Sequence, residues 1–167
     1  GAASREGEAD PRRQEGPPRR RQLKIDPAEL EVATKYMVPA LREAQELDGR
    51  LPPREANIIQ AVPPCTQQER HWDFDPALVQ LARKKPCGVI LALQPGTRLV
   101  VYDVLLGRDV LVPIPPGAML VFDGDVAHAG AWYACPNTRV HMYLDVFDCL
   151  RTVDVTWFER YFVKNTE

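Results

Sequence analysis

Between residues 87 and 147 apolar and polar positions alternate in short runs. "CGVILAL", "RLVVYDV", "DVLVPI", "AMLVFDG" and "TRVHMYLDVF" are rich in β-branched and aromatic residues. The breaks between them, "QPGT", "LLGR", "PPG" and "DGD", carry turn chemistry. Closely spaced strands with such breaks predict a sandwich or barrel rather than βαβ units. Upstream the period changes. Leu30, Ala33, Met37, Leu41 and Ala44 recur at helical spacing behind Asp26-Pro27, a good N-cap and first-turn pair. That helix is expected to stop near Asp48-Gly49, ahead of Pro52-Pro53. "ANIIQAV" predicts a short strand, and Asp75-Pro76 opens a second short helix, "PALVQLARKK", that ends before Pro86. The last segment, "TVDVTWFERYFVKN", reads either as a helix capped at Thr152 or Asp154 or as an edge strand. The expected fold class is therefore mainly β with flanking helices.

Residues 1–22 break this pattern. They are polar, contain proline and hold almost no large apolar side chains, so they cannot bury enough surface to offset the entropy of ordering. They predict a flexible tail, 1–22, ahead of a single folded domain, 23–167. Arg19, Arg20 and Arg21 make the end of the tail basic, a possible contact for RNA or another acidic partner. The chain as a whole carries a net charge of −2, which argues against a general nucleic-acid binder. Apolar residues make up 45% of the chain, enough for a sizeable core. No apolar run approaches a membrane span, so no membrane partner is expected. The four cysteines show no CxxC spacing, which argues against a thiolate zinc site, and the chain is read as intracellular with reduced thiols.

The candidate chemistry lies in two stretches. In "QERHWDFDP", His71 and Asp73 are two apart, so on an extended segment they point to one side and Trp72 to the other. His128, arriving from another strand, completes two histidines and one carboxylate. Three such ligands on one face of an octahedral ion leave three positions open, which suits Fe(II) chemistry with a co-substrate and O2. In "TRVHMYLDV", Arg139, His141, Tyr143 and Asp145 share one face of a strand, and Val140, Met142, Leu144 and Val146 the other. A buried arginine needs an anion, and its planar fork matches a carboxylate. Near a metal, the distal carboxylate of a keto-acid meets that need. His141 reads as a side chain touching a metal ligand rather than the metal. Asp123 and Asp125 read as turn residues, with Asp125 alternatively ordering the loop before His128. Arg98 reads as a surface strand residue or a second pocket cation.

The order His71-x-Asp73, then His128, then Arg139 eleven positions later on a late β-run resembles the Fe(II)/2-oxoglutarate-dependent dioxygenases. The stretch "PPGAMLVFDGDVAHAG" resembles their Gly-Asp turn into the strand of the distal histidine. The resemblance spans roughly residues 57–147. It implies a double-stranded β-helix (jelly roll), with an N-terminal amphipathic helix packed on one sheet. It implies His71, Asp73 and His128 as iron ligands, Arg139 as the partner of 2-oxoglutarate, and Tyr143 and His141 beside that co-substrate. The activity implied is hydroxylation, with 2-oxoglutarate decarboxylated to succinate. The substrate stays open between a protein, a nucleic acid and a small molecule. Two other readings stand beside this one. A metal-binding cupin is also a jelly roll, but the chain lacks the paired H-x-H of that group. A catalytically inactive jelly-roll interaction module, or a subunit of a larger assembly, keeps the same residues without turnover.

Overall fold

The computed structural model describes residues 20–152 and 156–158. Ten strands among them form two five-stranded antiparallel sheets. In chain order they are β1 (Arg20–Lys24), β2 (Ala56–Ala61), β3 (His71–Trp72), β4 (Cys87–Ala92), β5 (Arg98–Asp103), β6 (Arg108–Pro113), β7 (Met119–Asp123), β8 (His128–Gly130), β9 (Asn137–Leu144) and β10 (Trp157–Phe158). The first sheet has the order β1-β2-β9-β4-β7 and the second β10-β3-β8-β5-β6. Two helices flank them: α1 (Pro27–Glu43) and α2 (Pro76–Leu81). The alternating runs predict such a packing of strands, and the arrangement is the jelly roll that the resemblance implies.

Alternation along β9 sets the layers. Val140, Met142 and Leu144 turn outward and meet Met37 and Leu41 of α1, with Val89 and Ala56 from the strands on either side. Arg139, His141 and Tyr143 turn the other way, into the space between the sheets. The same alternation sends Ile90 and Ala92 of β4 inward, where they pack with Leu99, Ile114 and Phe122. The apolar stripe of α1 therefore covers one face of the sheet, so the opposite face is free to carry polar side chains toward the second sheet.

Three boundaries differ from the sequence expectation. Residues 20–22, placed in the tail, begin β1, which pairs with β2 from Arg20↔Ala61 to Lys24↔Asn57. The rest of that tail, residues 1–19, lies outside the described residues. Helix α1 starts at the expected cap, where the Asp26 side chain accepts a bond from the Glu29 amide at 2.9 Å. It ends at Glu43 instead of Asp48. Gln45 adopts a left-handed φ of 60°, and the bonds Glu46 N to Leu41 O (2.8 Å) and Gln45 N to Arg42 O (3.0 Å) close the last turn. Helix α2 stops at Leu81, four residues short of Lys85, because the Asp148 carboxylate takes the Arg83 amide at 3.2 Å. Of the ambiguous C-terminal segment, Trp157 and Phe158 form the edge strand β10; Asp154 and the apolar stretch after Phe158 lie outside the described residues. Among the described residues no helix is long and apolar enough to cross a membrane.

Leu41 is 1% exposed beneath α1, whereas Tyr36 on the same helix is 75% exposed. Leu41→Ala is expected to cost about 2–5 kcal/mol. Tyr36→Ala is expected to stay within about 0.5 kcal/mol. Urea unfolding of the two variants measures both.

Candidate metal centre

The two short strands β3 and β8 bring the histidines together. His71 and His128 are directly paired across the ladder, and their rings lie 4.7 Å apart. On β3 the Trp72 side chain turns away and donates its Nε1 to the Asp125 carbonyl at 3.1 Å. That bond ties β3 to the loop leading into β8. The same loop is held from the outside, where Lys85 contacts the Asp125 carboxylate at 2.6 Å and Arg50 contacts Asp123 at 3.3 Å. Asp125 thus orders the loop before His128. Arg98 stands elsewhere, stacked 4.3 Å over Trp132 and bonded to its carbonyl, away from this site.

Each of the paired histidines has its ring oriented by backbone. His71 Nδ1 lies 2.8 Å from the Glu69 carbonyl, and His128 Nδ1 lies 3.1 Å from the Val126 carbonyl. A carbonyl only accepts, so each Nδ1 carries a proton and each Nε2 presents a lone pair in the neutral ring. Both Nε2 atoms face Asp73: His128 at 3.2 Å from Oδ2 and His71 at 3.9 Å from Oδ1. His141 adds a third Nε2 at 3.5 Å from Oδ2. Asp73 Oδ2 and His141 Nε2 are nevertheless both buried without a hydrogen bond. The electrostatics record the same convergence. Burial pushes the Asp73 carboxyl up, but the surrounding imidazoles outweigh it and hold the group well below the usual carboxylate range. Burial lowers His128, yet Asp73 prevails and raises it. Burial and the neighbouring His128 lower His71, and burial pushes His141 down to about 4.

Such an arrangement suits a cation. One donor atom from each of His71, Asp73 and His128 lies within 4.8 Å of the others. On one face of an octahedral ion, donors at about 2.0–2.2 Å from a first-row metal stand about 3 Å apart, so a bound ion would draw these three atoms together. Two nitrogens and one carboxylate oxygen are donors that Fe(II) accepts, with positions left over. His141 touches Asp73 and stacks 4.6 Å from Tyr143. It lies outside the compact three-atom set.

A cavity of about 310 Å³ opens from this cluster, and Arg139, His141 and Tyr143 line it with the three donors. Arg139 is 2% exposed, and its NH1 is buried with no hydrogen-bond partner. The Tyr133 ring lies 5.4 Å from its Cζ, and the Cys65 thiol is close enough to act on its charge; neither is a carboxylate. Ile90 and Leu99 supply apolar wall. Tyr143 sits nearer the mouth, where Arg151 lies 3.9 Å over its ring and pairs with Glu55 at 2.8 Å. Asp145, placed on this face by alternation, lies beyond the strand and accepts from the Arg151 amide at 3.1 Å, outside the cavity.

Two further contributors were not evident in the sequence. The Phe122 ring packs 4.7 Å from His128 and 6.2 Å from His141. It reaches them because Gly88, on the neighbouring strand, offers no side chain. A glycine inside the otherwise bulky run "CGVILAL" is the signal of such a close approach. Gln68 is the other: its Oε1 accepts from the Gly130 amide at 2.9 Å at the cavity wall.

No family model matches the chain, and no curated protein matches it in sequence. Solved structures do match. A prolyl-4-hydroxylase from Pseudomonas putida superposes with a TM-score of 0.58 and 16% identity, over 76% of this chain and 72% of that one. A 2OG-Fe(II) oxygenase family oxidoreductase from Burkholderia pseudomallei gives 0.56 and 16%, over 79% and 70%. A viral collagen prolyl hydroxylase from Paramecium Bursaria Chlorella virus-1, solved as a 2OG complex, gives 0.53 and 13%, over 75% and 78%. The chain therefore has the fold of the 2-oxoglutarate- and Fe(II)-dependent oxygenases.

An added Cβ at position 88 collides with the Phe122 ring that backs His128. Gly88→Ala is expected to lower stability by about 1–3 kcal/mol. Urea unfolding measures this. The chemical shifts of the His128 ring are expected to move, and those of the exposed Tyr36 to stay.

Proposed function

We propose that this protein is an Fe(II)- and 2-oxoglutarate-dependent oxygenase that hydroxylates a substrate entering at the cavity mouth. The observation that carries the reading is a pair of unmet demands in one cavity: a buried carboxylate oxygen at the histidine cluster and a buried guanidinium N–H at Arg139. A divalent cation meets the first and a carboxylate meets the second. 2-Oxoglutarate carries both a metal-chelating 2-oxo acid and a distal carboxylate. The fold shared with oxygenases of this type supports the same reading.

In this reading His71, Asp73 and His128 hold Fe(II), each imidazole through Nε2 because its Nδ1 is committed to a backbone carbonyl. Bound Fe(II) supplies the oxidising chemistry: one atom of O2 enters the co-substrate, which leaves as succinate and CO2, and the other enters a C–H bond of the substrate. The chain's own residues do the rest. Arg139 orients the co-substrate through its distal carboxylate with a fork of N–H donors. His141 packs against Asp73, its Nε2 3.5 Å from Oδ2. Phe122, Ile90 and Leu99 exclude water around the reacting end, where a dry site strengthens the charge interactions. The Glu55–Arg151 pair, with the exposed Gln22 and Thr156, frames the entrance and is the first surface a substrate meets.

The two halves of the site are separable by mutation. His128→Ala is expected to lower Fe(II) retention by at least about tenfold and to abolish 2-oxoglutarate consumption. Arg139→Met is expected to retain Fe(II) and to raise the 2-oxoglutarate concentration needed by about ten- to a hundredfold, the value of a charge-assisted contact. Metal analysis after dialysis and a 2-oxoglutarate consumption assay read the two effects. An unchanged 2-oxoglutarate requirement in Arg139→Met contradicts the assignment.

A further inference from the structure

Arg20 is a half-buried cation with no role in the mechanism above. It stands in β1 at the edge of the first sheet, and its side chain crosses to β8 of the second. Its NH2 donates to the Gly130 carbonyl at 2.8 Å and to the Ala131 carbonyl. Its Nε and NH1 are buried and have no hydrogen-bond partner.

Gly130 shows on which side of β8 the guanidinium lies. His128 and Gly130 are two apart on this strand, so a side chain at 130 would point the way His128 points, into the cavity. A Cβ built at Gly130 would meet Arg20 Nε at 3.0 Å and Cζ at 3.1 Å. The guanidinium therefore lies against Gly130 and beside Gln68, two residues of the cavity wall, without itself lining the cavity as it stands. Arg139, on β9 of the same sheet as Arg20, lines the cavity itself. The two cations sense one another: burial, together with the Arg139 charge, pulls Arg20 below its ordinary value. The groups that act on both are the Cys65 thiol and the Tyr133 phenol. The phenol oxygen is committed to the Arg98 backbone, 2.9 Å from its carbonyl. Among the described residues no carboxylate pairs with either arginine. Three buried guanidinium nitrogens without partners, two on Arg20 and one on Arg139, call for an anion with several acceptor sites.

We propose that Arg20 and Arg139 together clamp the distal carboxylate of the 2-oxo acid, making the strand ahead of the jelly roll part of the co-substrate site. The inference rests on the oxygenase reading and adds a residue to it. A carboxylate offers about four lone-pair sites, enough for forks from two arginines. The arrangement makes the site selective for a 2-oxo dicarboxylate over a 2-oxo monocarboxylate. It also couples the co-substrate to β1, whose other residues, Arg21 to Lys24, are exposed.

Anaerobic calorimetry of the Fe(II)-loaded full chain tests this with two ligands: 2-oxoglutarate, and 2-oxopentanoate, which lacks the distal carboxylate. The wild type is expected to prefer the dicarboxylate by at least about a hundredfold. Arg20→Met is expected to weaken 2-oxoglutarate by about tenfold or more, leaving 2-oxopentanoate affinity and Fe(II) retention unchanged. Arg20→Lys keeps the stem and the charge but loses the fork, and is expected to fall between; it carries the comparison if Arg20→Met does not fold. In the wild type, 2-oxoglutarate is also expected to slow amide exchange in residues 20–24. Equal 2-oxoglutarate affinity in wild type and variant overturns the proposal, as does a parallel loss for both acids, which marks a purely structural role. A wild type that retains Fe(II) and binds neither acid overturns the oxygenase reading itself, and the clamp with it.

Discussion

Burying an ion whose polar atoms are left partly unmet costs free energy, and this site does so at both ends. At one end the Asp73 carboxylate is surrounded by three imidazole nitrogens at 3.2, 3.5 and 3.9 Å, yet its Oδ2 makes no hydrogen bond. At the other, Arg139 and Arg20 hold three buried guanidinium nitrogens without partners. A core selected only for stability would replace these groups with apolar side chains of similar volume. Their persistence in a cavity of about 310 Å³ makes physical sense if ligands of opposite sign complete each end. A divalent cation and a dicarboxylate do so together, and the unmet groups are already held in the positions that such ligands need.

The scaffold explains how those positions are kept. Strands β3 and β8 are only two and three residues long, too short to hold a geometry by their own ladders. They are held by what surrounds them. The Trp72–Asp125 bond and the Lys85–Asp125 pair fix the loop, backbone carbonyls fix the two rings, and Phe122 backs His128 where Gly88 makes room. On the other side, α1 covers the outer face of β9 and takes up its apolar residues. The inner face is then free to present Arg139, His141 and Tyr143. Position in the first sheet and position in the cavity are thus one constraint: a one-residue slip of β9 would bury Val140 and Met142 in the cavity and expose the arginine to the helix.

Much of this was legible in the sequence because it depends on period two. "TRVHMYLDV" separates its polar and apolar faces as the structure does, and H-x-D places two donors on one side with Trp72 opposite. Asp26-Pro27 and Asp75-Pro76 mark both helix starts. What was hidden depends on tertiary contact. The end of α1 is set by the left-handed Gln45, a residue type that gives no warning of it. The end of α2 is set by a carboxylate from residue 148. Arg20 lay within a proline- and arginine-rich run whose composition describes a tail. Its role as an edge-strand residue appears only when β2 supplies a ladder and Gly130 leaves space for the guanidinium. Likewise Asp145 follows the alternation of β9 but falls past the end of the cavity, since periodicity gives direction and not reach.

The central claim is that one cavity takes Fe(II) at the His71, Asp73, His128 cluster and a 2-oxo acid alongside it, anchored at the arginines. The most direct test is an anaerobic absorbance titration: metal-free protein, then Fe(II), then 2-oxoglutarate. The account predicts a weak visible charge-transfer band that appears only after the second addition and saturates at one equivalent. Iron that binds but gives no band when 2-oxoglutarate is added, or no retained iron at all, would contradict it.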